Sequence, residues 1–189
     1  MNSHISRRHF LARTSTFATF IAFGGLTNLV SSLATKAVAK WDAKMELEVA
    51  FEINRAGGFR YNRPYIAVWL EDAKGLPVRT LSLWYQTGKG NRWLPDLKRW
   101  FNANDGSDLA ATLSGPTREP GTYKLVWDGK NDKKTLVDQG EYFICIEAAR
   151  EHGTYQLIRE RLEFSGTPFA KTFNGNEEIK GASVAYRKA

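Results

Sequence analysis

The clearest pattern along the chain is the alternation of apolar and polar or small residues over residues 44–54. Successive side chains of a β-strand point to opposite faces of a sheet, so a period of two predicts a strand with one buried and one wet face. Gly57 and Gly58 end this strand. Its apolar positions are Met45, Leu47, Val49, Phe51 and Ile53.

Six further segments have the character of strands. Residues 64–71 are apolar on both faces, which predicts a central strand. Residues 78–85 return as its hairpin partner after a turn at residues 72–75. The remaining strands are predicted at residues 122–127, 140–148, 155–164 and 181–186.

A helical period interrupts this strand pattern and completes the predicted fold. Apolar residues at Trp93, Leu94, Leu97, Trp100 and Phe101 predict one short helix over residues 94–103, followed by a loop over residues 105–120. About seven to eight short strands with one helix indicate an all-β fold, an immunoglobulin-like antiparallel β-sandwich. A closed β-barrel is the main alternative.

The N-terminal segment has the features of an export signal. Ser6, Arg7 and Arg8 open a Ser-Arg-Arg-x-Phe-Leu string, which is the twin-arginine pattern and implies the twin-arginine translocase as a partner during export. A short apolar stretch at residues 17–26 and the small-x-small string Ala-Val-Ala at residues 37–39 follow. We predict that residues 1–39 are cleaved and that residues 40–189 form a single periplasmic domain, not an integral membrane protein. An uncleaved N-terminal anchor helix is the alternative.

Charge and residue counts exclude several classes of site. The net charge is +7, but residues 1–39 carry four basic residues and no acids, which leaves +3 without a concentrated basic stripe. Nucleic-acid binding is therefore not expected. Cys145 is the sole cysteine, and His152 is the sole histidine after residue 39. These counts exclude an intramolecular disulfide, covalent c-type haem, iron–sulfur clusters and zinc sites built from several His or Cys ligands.

Three strings identify a resemblance: residues 63–72, residues 92–97, and Trp-Asp-Gly at 127–129 with Gly-Glu-Tyr at 140–142 through to residues 147–153. The chain resembles a bacterial family of predicted periplasmic proteins catalogued as a domain of unknown function. The resemblance implies gene neighbours that encode PepSY-type membrane proteins and the flavin transferase ApbE. Residues 127–142 also resemble the immunoglobulin-like module of the flagellar hook-cap protein, a likeness that concerns the fold alone.

This resemblance makes Ser114, Gly115 and Thr117 a candidate cofactor site. ApbE joins FMN through a phosphoester to a Thr or Ser in a motif similar to Asp-x-x-Ser-Gly-Ala-Thr, and Thr117 has the corresponding offset from Ser114 and Gly115. Pro116 stands where the motif has Ala, and Ala111 stands where it has Asp. A plain Gly-Pro turn before the strand at residue 122 explains the same residues.

The other candidate residues are assigned to partner binding. Trp93, Trp100 and Phe101 form an apolar helix stripe that either packs on the sandwich or docks a partner. His152 is either a turn residue or a ligand and proton carrier, for which Glu147 or Glu151 would be needed as partners.

The resulting functional prediction is a non-enzymatic periplasmic accessory or binding module. From the resemblance, it is expected to serve a membrane-associated redox or metal-handling system, with a PepSY-type membrane protein as partner. The alternative is an electron-transfer protein that carries FMN covalently at Thr117. An enzyme that uses His152 as an acid–base group is the third hypothesis.

Overall fold

The computed structural model describes residues 38–55, 61–104 and 113–189. In these ranges the chain forms nine β-strands, a 3₁₀ segment (Gly88–Asp96) and a short helix α1 (Lys98–Ala103). The strands are β1 (Met45–Ile53), β2 (Tyr65–Asp72), β3 (Pro77–Trp84), β4 (Ser114–Gly115), β5 (Gly121–Trp127), β6 (Gly140–Ala149), β7 (Tyr155–Phe164), β8 (Phe169–Asn174) and β9 (Ile179–Lys188).

The strands form two sheets. One has four strands in the order β5-β1-β9-β8, and the other has five in the order β4-β3-β2-β6-β7. Every neighbouring pair is antiparallel except β3 and β4, which are parallel. The predicted all-β sandwich is confirmed, and β2 lies in the centre of its sheet as its two apolar faces indicate.

The main core lies between the sheets. The alternating apolar residues of β1 are all buried there, and they pack with inward residues of β2 such as Ile66, Val68 and Leu70. Burying one such side chain contributes about 1.5–3 kcal/mol to folding. The period of two in residues 44–54 therefore corresponds directly to the packed face of the four-stranded sheet.

A second core covers the outer face of the five-stranded sheet. The opposite side chains of β2, Ala67 and Trp69, pack there with Leu97, Trp100 and Cys145. The 3₁₀ segment and α1 thus form a third layer on this sheet. The predicted helix over residues 94–103 is divided in two because Leu97, with φ −75° and ψ 68°, leaves the helical region between Asp96 and Lys98.

Two strands are absent from the sequence prediction. β4 lies inside the predicted loop over residues 105–120 and consists of two residues that pair with Leu83 and Trp84. β8 is an edge strand whose central residues Ala170, Lys171 and Thr172 are exposed, so it has no apolar alternation. Both strands depend on pairing with a partner strand rather than on their own pattern.

A short strap at residues 39–41 fixes the start of the described domain. The Ala39 carbonyl accepts a hydrogen bond from the Gln139 N–H at 2.7 Å, and Lys40 forms an ion pair with Asp138 at 2.6 Å. Trp41 is buried in the main core. The strap lies at the end of the sandwich where β1 begins, beside the Asp72 end of β2.

Candidate functional site

A cavity that involves the predicted site residue Thr117 lies at the opposite end of the sandwich, where β1 ends and β2 begins. Four separate connections contribute to it: those that follow β1, β3 and β6, and the one between β4 and β5. Its volume is about 440 Å³, within the range of small-molecule clefts. We call it the loop-end cleft, and it is lined by Tyr61, Asn62, Arg63, Tyr65, Gln86, Thr117 and Glu151.

Charge in the loop-end cleft is balanced. Arg63 and Glu151 are the two charged residues of the lining. Arg63 also forms an ion pair with Glu119 outside the lining. Each of the seven lining side chains ends in a hydrogen-bonding group, and the amides of Asn62 and Gln86 both donate and accept. The cleft is therefore polar without a net charge in its lining.

Two tyrosines hold the inner wall of the cleft. The Tyr65 hydroxyl donates to the Gly90 carbonyl at 3.2 Å, and the Tyr61 hydroxyl donates to the Asn54 carbonyl at 3.3 Å. A side chain at Gly90 would collide with the Tyr65 hydroxyl, so glycine at this position permits the contact. Burial raises the pKa of both phenols, and both remain neutral hydrogen-bonding groups.

Thr117 lies between the cleft and a second hollow. That hollow has a volume of about 240 Å³ and is lined by residues 85–87 and 114–117. Thr117 is half-buried, whereas Pro116 is exposed. The Gly115 carbonyl accepts a hydrogen bond from the Tyr85 N–H at 3.0 Å, which fixes β4 beside the end of β3. The structure therefore places Ser114, Gly115 and Thr117 in the lining of the second hollow, and Thr117 also lines the loop-end cleft.

His152 lies outside the lining of the cleft. Its side chain is 89% exposed and its Nε2 is 3.8 Å from the Glu151 carboxylate. Its φ of 55° places it in the left-handed region of a tight turn. This geometry is that of a turn residue on the surface, next to the cleft residue Glu151.

The three aromatic residues assigned to a partner surface have different environments. Trp100 is fully buried, and its indole N–H donates to the Thr80 hydroxyl at 3.1 Å. Trp100 is therefore part of the core and has no surface for a partner to contact. Trp93 and Phe101 are half-buried at the edge of the same layer, and the Arg92 guanidinium stacks on the Trp93 ring at 3.9 Å.

A buried carboxylate network beneath α1 was not recognised from the sequence. Glu71, the last residue of the predicted strand over residues 64–71, is fully buried and accepts two hydrogen bonds from Arg99 at 2.7 Å and one from Arg159 at 2.9 Å. The Trp69 indole N–H also donates to it at 3.1 Å. Burial alone would raise the pKa of the Glu71 carboxyl, but the hydrogen bonds and charges of the two arginines outweigh burial and lower it.

Glu147 anchors the first turn of α1 from the sheet below. Its carboxylate accepts the backbone N–H groups of Arg99 and Trp100 and the Tyr155 hydroxyl, all at 2.8 Å. Burial raises the pKa of this carboxyl in spite of these three donors. An acidic residue inside the apolar run of β6 was the available sequence signal, since a carboxylate in such a run requires partners.

A third buried carboxylate, Glu178, lies behind the cleft. It accepts hydrogen bonds from Arg150 Nε at 2.9 Å and from the Thr154 hydroxyl at 2.6 Å. Its negative charge helps to raise the pKa of Tyr61, after burial as the main cause. This inter-sheet contact fixes the segment after β6, and with it Glu151, against the start of β9.

Residues 38–55, 61–104 and 113–189 form neither a cluster of metal ligands nor a membrane-spanning helix. No group of three or more His, Cys, Asp or Glu residues in these ranges is placed to hold a metal ion. Cys145 is buried, and burial raises the pKa of its thiol. In the same ranges, no helix has both the length and the apolar character needed to span a bilayer.

Comparison with known proteins places the chain in a family. A family model described as "Predicted periplasmic protein (DUF2271)" matches residues 46–181. The chain belongs to this family. The DUF2271 match extends from β1 into β9 and includes every residue of the loop-end cleft. No curated protein and no solved structure matches the chain. The resemblance to a periplasmic family of unknown function is thus confirmed, while the gene neighbours and the hook-cap likeness stay predictions.

Proposed function

We propose that this DUF2271 protein is a non-enzymatic periplasmic binding module whose contact site is the loop-end cleft. The observation that carries the proposal is the cleft itself, since four connections distant in sequence converge there around hydrogen-bonding side chains. A β-sandwich holds such loops on a rigid support, which is how many binding loops are presented. The carboxylate of Glu178 adds support from behind the cleft.

The proposed setting is a membrane-associated redox or metal-handling system. The family description as a predicted periplasmic protein supports the compartment, and the twin-arginine pattern at Arg7 and Arg8 supports export through the translocase. That segment lies outside the described residues. The PepSY-type membrane protein is proposed as the partner on the family resemblance.

The test is site-specific photo-crosslinking in the native host. A photoreactive amino acid replaces Gln86 in the cleft, and the matched control replaces Thr135, an exposed residue at the opposite end of the sandwich. We expect a discrete crosslinked species at Gln86 that is absent at Thr135 and reduced by Arg63→Ala. Equal crosslinking at both positions would refute the loop-end cleft as the contact site.

The second candidate function is a flavin carrier with FMN joined by a phosphoester to Thr117. The observation in its favour is that Thr117 is half-buried at the rim of two hollows, where a transferase can approach from Pro116 and the attached group has space beside Tyr85. The Thr117 side chain therefore borders open volume on two sides, which is compatible with attachment of the group at the surface. When bound, FMN would supply one- or two-electron redox chemistry.

Intact mass and visible absorption of protein from the native periplasm separate the two functions. A flavin carrier has the mass of its polypeptide plus one FMN less one water and a flavin spectrum, both lost in Thr117→Ala and retained in the control Thr135→Ala. A bare polypeptide mass without visible absorption contradicts the flavin carrier and leaves the binding module in place.

A further inference from the structure

We infer that the loop-end cleft binds a neutral, hydroxyl- and amide-bearing ligand, and that its chemical class is a short saccharide chain. This inference rests on the proposed function, because it names the ligand of the same site. It depends on three properties of the cleft: its volume, its charge balance and the chemistry of its side chains.

The shape of the cleft favours a small ligand or one segment of a chain over a broad protein surface. Its volume of about 440 Å³ is formed between loops at the end of the sandwich. Clefts of this size enclose small molecules, whereas most protein–protein contacts are larger and flatter. The inner wall is held by the hydrogen bond from the Tyr65 hydroxyl to the Gly90 carbonyl, so this wall does not depend on a ligand for its position.

The charge balance of the cleft argues against an ionic ligand. Arg63 and Glu151 have opposite charges, and Arg63 is paired with Glu119. A phosphate or carboxylate group would have to compete with Glu119 for the guanidinium and would also approach Glu151. An ammonium group would meet Arg63. A neutral ligand avoids both conflicts.

The remaining side chains match a saccharide. The amides of Asn62 and Gln86 and the hydroxyl of Thr117 each supply donors and acceptors, as sugar hydroxyl and acetamido groups require. The half-buried phenol ring of Tyr61 adds aromatic surface with a polar edge. A flat apolar molecule would bury these polar groups without partners, which makes it the poorer fit.

The experiment is a nuclear magnetic resonance titration of the purified protein from Lys40 to Ala189, which keeps the Lys40–Asp138 ion pair and the buried Trp41 of the strap. The probes are the trimer of N-acetylglucosamine, maltotriose, inorganic phosphate and riboflavin. We expect the N-acetylglucosamine trimer to shift the Gln86 side-chain amide and the Thr117 backbone amide and not the Thr135 amide. Maltotriose, which lacks acetamido groups, is expected to bind more weakly at the same residues.

Two variants with a matched control complete the test. Gln86→Ala and Thr117→Val each remove a hydrogen bond and are expected to weaken binding by about tenfold, while Thr135→Val leaves it unchanged. All three positions have exposed or half-buried side chains, and retained wild-type spectra elsewhere verify folding.

The outcomes distinguish this inference from the proposed function. Absence of shifts with both saccharides, or shifts with phosphate or riboflavin alone, overturns the saccharide assignment. If a protein is nevertheless crosslinked at Gln86, the binding module stands with a different ligand. If the saccharide binds but no crosslinked protein is found, the loop-end cleft remains the contact site of the binding module, and its ligand is the saccharide rather than a protein.

Discussion

The outer faces of the two sheets carry the same kind of residue in opposite environments. On the five-stranded sheet, Glu71 and Glu147 are fully buried beneath α1. On the four-stranded sheet, β1 presents Glu46, Glu48 and Glu52 to the solvent side, where they form ion pairs with surface lysines and arginines. Among the described residues, a third layer of structure covers only the first of these two faces.

This difference shows that the contribution of a strand glutamate to stability depends on whether its side chain is exposed or buried. A solvent-exposed ion pair is screened by water and contributes little to stability. A buried carboxylate must be matched by donors, and removal of the carboxylate leaves those donors without their acceptor. The outer face of the five-stranded sheet, the covered face, therefore depends on its glutamates to hold α1. The outer face of the four-stranded sheet, the open face, has ion pairs that contribute little to stability.

The largest effect is expected from Glu71→Ala. The change leaves the Arg99 and Arg159 guanidinium groups without their shared carboxylate and is expected to lower the free energy of unfolding by about 3–5 kcal/mol. Urea denaturation followed by tryptophan fluorescence measures it. The control on the open face is Glu48→Ala, and equal losses for the two variants would contradict the contrast between the faces.

A smaller effect is expected from Glu147→Ala. Two backbone N–H groups of α1 and the Tyr155 hydroxyl lose their acceptor, and the loss is expected to be about 2–3 kcal/mol. Hydrogen exchange gives a local readout: the amides of Arg99 and Trp100 lose protection before those of β1. Uniform loss of protection across both sheets would show that Glu147 does not act through α1.

The mildest substitution is Tyr155→Phe, which removes one hydrogen bond to Glu147 and keeps the ring. A loss of about 1 kcal/mol is expected in the same denaturation experiment. In the background of Glu147→Ala the substitution has no acceptor left to lose, so its effect should largely disappear. Full additivity of the two changes would mean that the hydrogen bond at 2.8 Å is not what couples them.

The two buried carboxyls also predict opposite dependences of stability on pH. The pKa of Glu71 is held below its ordinary value of 4.5, so its contribution is present above pH 4.5 and is lost as pH falls below it. The pKa of Glu147 is raised above the same value, so stability falls as pH rises from 4.5 through that raised pKa. Unfolding free energies of wild type, Glu71→Gln and Glu147→Gln are compared between pH 3 and pH 7.

Each glutamine variant should lose the pH dependence of the unfolding free energy that comes from the substituted carboxyl, and it should keep the pH dependence that comes from the other. Relative to wild type, Glu147→Gln gains stability as pH rises above 4.5, and Glu71→Gln gains relative stability as pH falls below 4.5. Parallel curves for all three proteins would show that neither carboxyl has a shifted pKa in the folded state.

The apolar spacing of the sequence predicts the strands whose burial is periodic. It does not predict the strands and buried side chains that depend on residues distant in the chain. β1 and β2 follow from apolar spacing, whereas β4 and β8 form because β3 and β9 supply their hydrogen bonds. The burial of Glu71 and Glu147 follows from the position of α1 over the sheet. No local pattern predicts that position, although the apolar run around Glu147 indicates that its carboxylate requires partners. Thr117 was found from a short motif, but its place in a cleft with Tyr61 and Glu151 depends on the packing of four loops.

The strap at residues 39–41 determines how the domain is presented. It lies where β1 starts, and the loop-end cleft lies where β1 ends, so the nine residues of β1 separate them by about 26 Å at roughly 3.3 Å per residue. Trp41 fixes the strap in the core, so Val38, the first described residue, lies at the end of the sandwich remote from the cleft. A label or solid support coupled at the strap would therefore leave the cleft accessible to a ligand in solution.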